Sequence, residues 1–182
     1  MTIEYYFKYH ITKVLNNPIT WYVVLATILL PIGVSVFLKK SHGKTVRCVG
    51  LLAFSLYAIY AMTLLDRMDS GVSKFNLDLF WTWERAMDGS AKHQYFIVGN
   101  ILLFVPYGIA VSAIFSREKR RWWKALIIGA VTSAFIEFAQ YVWQVGLCEL
   151  DDLVHNTIGM MVGYVIVKVC SLISTRGNKK LH

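Results

Sequence analysis

The sequence predicts an all-α fold: a polytopic membrane helical bundle of about five transmembrane helices plus short interfacial helices. Three observations predict it. Hydrophobic residues make up 56% of the chain and mean hydropathy is positive at +0.48. Charge is confined to short runs. Five apolar stretches, approximately 19–38, 46–65, 94–115, 122–145 and 153–174, are each long enough to cross a hydrocarbon core of about 30 Å at about 1.5 Å per helical residue. Little sequence is left over to build a separate soluble domain.

Taken in order, the chain opens with an interfacial segment, 1–18. Ile3, Tyr6, Phe7, Ile11 and Val14 recur at helical spacing with Lys8 and Lys13 on other positions, as in a helix lying in a membrane interface. Asn16-Asn17-Pro18 breaks that helix before the first span. The first span exceeds a signal-peptide core and lacks a small-x-small cleavage site, so it is expected to be retained. The transmembrane domain runs over 19–175, and residues 176–182 form a basic tail.

Between the second and third spans lies a loop, 66–93, too long for a simple connection. Its segment FNLDLFWTWERAM puts Leu79, Phe80, Trp83 and Met87 on one helical side, which predicts a short amphipathic helix dipping into the outer leaflet. Trp21, Trp122, Trp123 and Trp143 fall near span ends, as an aromatic belt requires. Cys48, Cys148 and Cys170 are scattered, with no disulfide framework and no metal-ligand spacing, and Cys148 lies outside every motif. No cofactor and no metal are expected.

The net charge of +8 is distributed unevenly. Lys39, Lys40, Lys44 and Arg47 follow the first span, Arg117, Lys119, Arg120, Arg121 and Lys124 lie around the third loop, and Arg176, Lys179 and Lys180 occupy the tail. The intervening loops are mixed and acid-bearing (66–93) or free of basic residues (146–152). By the positive-inside rule the N-terminus lies outside and the basic loops and C-terminus lie in the cytoplasm. Anionic membrane lipid, rather than nucleic acid, is the expected partner of the basic patches.

Against this apolar background stand a few polar residues. Glu137 lies about 22 Å along the fourth span from Trp122, near its outer end. Asn100, early in the third span, and Asp151, Asp152, His155 and Asn156, opening the fifth, reach the same depth. On the fourth span Ser133, Glu137, Gln140 and Gln144 line one face. Such residues cost about 2.5–3.5 kcal/mol each at the bilayer centre when ionised, so they face protein or water rather than acyl chains. Structural roles compete with functional ones: Asp151 or Asp152 suits a helix N-terminus, Asn100 and Asn156 suit interhelical hydrogen bonding, and His155 suits an interfacial position. Gly159-x-x-x-Gly163 permits close helix approach, and Pro106 can bend the third span.

Three motifs recur in order: Asn100 with Phe104, Pro106, Tyr107 and Gly108; Ser133 with Glu137 and Gln140; and Asp151, Asp152 with Asn156 and Gly159. In these the chain resembles the VanZ-like family of bacterial integral membrane proteins, over signature positions 75–165. The resemblance implies a multi-pass protein of the bacterial cytoplasmic membrane, associated with resistance to glycopeptide and lipoglycopeptide antibiotics of the teicoplanin type. It also points to Asn76, within Asn76-Leu77-Asp78-Leu79-Phe80, where the family pattern carries a proline that this chain lacks.

Three functions remain open. The first is a non-enzymatic protein whose outward-facing polar pocket, built from Asn76, Asn100, Ser133, Glu137, Gln140, Asp151, Asp152 and Asn156, binds a lipoglycopeptide, a lipid headgroup or a lipid-linked cell-wall precursor. The second is a membrane-embedded acid/base or metal-dependent enzyme acting on a lipid, with Glu137, Asp151, Asp152 and His155 as candidate catalytic groups. No nucleophile elbow, HExxH or P-loop accompanies them. The third is a small transporter, which the absence of an internal repeat disfavours. The sequence leaves the oligomeric state open.

Overall fold

The computed structural model describes residues 1–64, 72–115 and 121–179. Among them the elements are α1 (Ile3–Leu15), α2 (Pro18–Phe37), α3 (Lys40–Thr63), β1 (Val72–Asn76), α4 (Trp81–Met87), α5 (Ala91–Ile114), α6 (Arg121–Val142), β2 (Val145–Glu149) and α7 (Leu150–Lys179). Five of the helices are long and apolar enough to span a membrane: Pro18–Phe37, His42–Thr63, Ala91–Ile114, Trp122–Val142 and Leu150–Ser174. The chain is therefore a helical membrane bundle.

The spans pack serially. α2 lies against α3, α3 against α5, α5 against α7 and α7 against α6. The central contact is that of α5 with α7, and glycine makes it possible. A side chain at Gly159 would overlap the Ile101 carbonyl, and one at Gly163 would overlap the Val105 carbonyl and reach 2.6 Å from the Ile109 nitrogen. Gly108 answers from α5, where a Cβ would overlap the Met160 backbone. Backbones this close gain dispersion contacts that lipid, itself apolar, cannot outcompete by hydrophobicity. Phe104, Tyr107, Val111, Met160 and Tyr164 fill the core around this seam, with Ile59, Ala125 and Ile136 from the flanking spans. α5 continues through Pro106 without interruption.

The break at Asn16-Asn17-Pro18 forms as the sequence predicts. Asn17 caps α2 by accepting from the Ile19 amide at 3.0 Å, and Pro18 occupies the first helical turn, where a missing N–H costs nothing. The Thr20 hydroxyl is 2.7 Å from the Val14 carbonyl and 2.8 Å from the Tyr57 hydroxyl, tying the turn to α3. α1 buries no residue fully. It lies across the start of α5, with Tyr6, Phe7 and His10 ringed around Tyr95; the His10 ring stacks on it at 5.0 Å between centroids.

Two expectations need correction. The loop 66–93 and the segment after α6 contribute strands, which the sequence did not announce: β1 and β2 pair in parallel, with Val72 opposite Val145 and Asn76 opposite Glu149. Consequently the helix expected over 75–87 begins only at Trp81. It turns Thr82 and Ala86 towards the protein and leaves Met87, Phe80 and Leu79 exposed, an arrangement suited to an interface anchor. Likewise α6 ends at Val142, and Gln144, in the left-handed conformation at φ 56°, is exposed and leaves the stripe of α6. The chain turns there so that 145–149 can satisfy its backbone against β1. α1, α4 and both strands thus gather at one end of the bundle, the strand end. The link at Lys39 between α2 and α3 lies at the other.

The sidedness expected from the basic residues can be tested directly. In a variant whose three cysteines are serine, single cysteines at Lys39 and Asp88, both exposed, are expected to react with a membrane-impermeant maleimide from opposite sides, Asp88 from outside. Labelling of both in intact cells would reject the expected orientation.

Candidate functional site

The first two turns of α7 carry the densest polar group. Asp151 and Asp152 lie in the first turn, where carboxylates complement the helix dipole, but neither merely caps its own helix. Asp151 reaches across to α4. Its Oδ1 accepts from the Phe80 amide at 2.6 Å and its Oδ2 from the Thr82 amide at 2.9 Å. Phe80 heads α4 in the left-handed conformation, φ 69°, and offers no side-chain cap. Asp151, 1% exposed, supplies one from another helix.

Asp152 turns towards α5. Its Oδ1 accepts from Asn100 Nδ2 at 2.6 Å, and His155 Nδ1 stands 3.7 Å from the same oxygen. His155 is completely buried, its ring 5.7 Å from that of Trp83 on α4, and among the described residues neither ring nitrogen has a hydrogen-bond partner. Asn156, one residue on, donates to Ser133 Oγ at 2.8 Å. The serine is thus engaged by an amide, and His155 is bonded to neither Ser133 nor Glu137. The meeting of serine, glutamate and histidine that an acyl-transfer site would need is not formed.

The stripe on α6 fastens other elements. Glu137 Oε2 accepts at 2.8 Å from the amide of Glu149, the residue preceding α7, so the carboxylate sits at the positive end of that helix. Gln140 Nε2 donates to the carbonyl of Thr63 at 2.9 Å, closing the C-terminal end of α3. Asn76 stands apart, half-buried at the end of β1, with its Oδ1 accepting from the Asp78 amide at 3.2 Å in a local turn.

Asn100, Asp152 and His155 are therefore brought together, as are Ser133 and Asn156, and Glu137 joins them through the start of α7. Sequence reasoning missed Thr82, Glu149 and Cys148. Thr82 and Glu149 are buried. Cys148 is half-buried on β2; burial pushes its thiol up from the ordinary range, and the carboxylates of Glu137, Glu149 and Asp152 push it further. That places the thiol in the electrostatic neighbourhood of the acids. Among the described residues no three His, Cys, Asp or Glu side chains gather in a way that could hold a metal ion.

Asn100 also reaches the wall of a cavity of about 390 Å³ between α1, α3 and α5, within the size range of small-molecule sites. The walls are mostly apolar, with Asn100, Thr63 and Tyr95 the polar residues among those lining it. Among known proteins, a family model described as VanZ/LLP1 matches residues 21–171. No curated protein and no solved structure matches the chain.

Proposed function

The chain belongs to the VanZ/LLP1 family, and from that premise we propose that it is a non-catalytic, amphiphile-binding protein of the bacterial cell envelope. In this reading the strand end faces outward across the cytoplasmic membrane. The protein takes up a lipoglycopeptide of the teicoplanin type, a lipid headgroup or a lipid-linked cell-wall precursor, and so lowers susceptibility to such antibiotics.

The observation that carries the reading is the juxtaposition at Asn100. This buried residue donates to Asp152, with His155 beyond, and also lines a mostly apolar cavity. A polar group beside an apolar recess is what an amphiphile requires. Binding is favoured over acid–base catalysis because the carboxylates are already held: Asp151 by two backbone amides, Glu137 by another, Asp152 by Asn100. A carboxylate oxygen already engaged by a structural donor must give up that bond before it can act on a substrate.

The test is protection of a susceptible Gram-positive host against a lipoglycopeptide, compared at equal membrane abundance. Glu137→Gln keeps an oxygen for the Glu149 amide and removes the charge. Asn100→Leu removes the amide at the cavity. A charge-assisted hydrogen bond is worth about 1.5–3 kcal/mol, hence about tenfold or more in affinity. Both variants are expected to lower protection, while Cys170→Ser, exposed and remote from the motifs, leaves it unchanged. Full protection with both variants would leave these side chains as fasteners between helices and reject the proposal.

A further inference from the structure

We infer that the cavity between α1, α3 and α5 is an acyl-chain port: a site that takes one hydrocarbon tail of a bilayer lipid, entering sideways from the leaflet at the strand end. The inference rests on the amphiphile reading above in assigning the head to Asn100, and it commits to a lipid tail as occupant of the recess.

The recess is built for hydrocarbon. Phe7 and Ile11 wall it from α1, Met62 from α3, Tyr95 and Leu103 from α5. An apolar space of about 390 Å³ stays dry unless polar partners hold the water. Here polar groups lie on part of the wall only, at Thr63, Asn100 and Tyr95. Thr63 already donates its hydroxyl to the Ile59 carbonyl, 2.7 Å away, so it asks nothing of a ligand. At the depth of Leu103 the surrounding medium is lipid tail, and a tail that leaves it loses no hydrophobic stabilisation while gaining three helical walls.

One residue separates a built recess from a packing flaw. Where α5 meets α7, glycine is there for backbone contact, and any side chain would collide. Gly99 is different. A Cβ there would meet only the Tyr95 ring, at 3.6 Å, which is ordinary van der Waals distance. Glycine costs about 1 kcal/mol against alanine inside a helix, and no neighbour requires it at this position. What its missing side chain leaves open is the recess itself.

The cover is equally specific. α1 contributes walls yet buries no residue fully. Ring contacts to Tyr95 lay it over α5, and the Thr20 hydroxyl and Trp21 indole anchor its last carbonyls, those of Val14 and Leu15. A surface helix anchored at its C-terminal end can swing its first turns aside to admit a chain without disturbing the core. The tail would then run from the level of Asn100 towards Leu103, with the head near Asn100 and Asp152.

The test uses the purified full chain in vesicles of phosphatidylglycerol carrying a diazirine midway along one acyl chain, with photo-adducts mapped by mass spectrometry. Labelling in the wild type is expected to concentrate at Phe7, Met62 and Leu103, above that at the exposed Val169 of α7. Gly99→Leu fills the space of two or three methylenes and should lower recess labelling about tenfold, leaving Val169 unchanged. Ile11→Trp fills the recess from exposed α1, where the core is not at risk, and should do the same. Recess labelling no stronger than at Val169, or unaltered in both filled variants, would overturn the port. If the filled variants lose labelling yet keep antibiotic protection, the port stands and the amphiphile-binding function falls.

Discussion

Gly159→Leu is expected to abolish accumulation of folded protein. The leucine would enter the Ile101 carbonyl and lie 2.9 Å from the Phe104 Cβ, so α5 and α7 would have to part along their whole seam. Overpacking that side chains absorb costs about 1–3 kcal/mol. Here backbone stands in the way, and the cost should exceed about 3 kcal/mol. Gly159→Ala should be milder but still destabilising. Fluorescence-detected size exclusion after detergent extraction checks both. A monodisperse Gly159→Leu protein at wild-type yield would show that the seam is looser than described. Gly33 is the matching control, since a Cβ there meets nothing within 4 Å, and its replacement by leucine should be tolerated.

Asp151→Ala carries the second large effect. It removes both acceptors from the head of α4 at once. The Thr82 amide is buried with the carboxylate, and leaving such a donor unsatisfied costs about 1–3 kcal/mol; the Phe80 amide, nearer the surface, adds less because water can reach it. A total of about 2–4 kcal/mol is expected, concentrated locally. Hydrogen exchange should accelerate over 80–88 while the spans keep their protection, and Asp151→Asn, which retains one acceptor oxygen, should fall between. Uniform loss of protection across all helices would mean instead that Asp151 supports the whole bundle.

Much of this architecture was legible in the sequence because lipid imposes blunt rules. Runs of apolar residues of spanning length announced five helices, and each lies within a few residues of its expected bounds. The convergence of Asn100 with Asp152 and His155 followed from counting rise per residue along antiparallel spans, whereas the bond of Ser133 with Asn156 did not. Gly159 and Gly163 announced a close contact, though not that α5 would be the partner. What stayed hidden has a common cause. β1 and β2 are five residues each, with no hairpin turn between them, and a parallel pair so distant leaves no local signature. Asp151 looks from sequence like the cap of α7, because local reasoning gives an aspartate to the nearest helix start. Gln140 looks like part of a pocket, because nothing near it in sequence reveals the Thr63 carbonyl. Gln144 fell out of its stripe when the chain turned to form β2, a choice made by pairing with a segment some seventy residues earlier.

The fastening of α4 by Asp151 also has a consequence in time. Phe80 and its acceptor are separated by 71 residues, which a ribosome adds in roughly 4–14 s at about 5–20 residues per second. During that interval the third and fourth spans are made, while the amides at the head of α4 and the edge of β1 still await Asp151 and β2. They must stay hydrated, so the segment waits at the membrane surface rather than sinking into it. Its ladder partner and its cap arrive together on one stretch, Val145–Asp151, as the last span begins to insert. α4 is thus fixed in place only as α7 begins to insert, and a chain arrested before residue 145 would leave the head of α4 and the edge of β1 open to water.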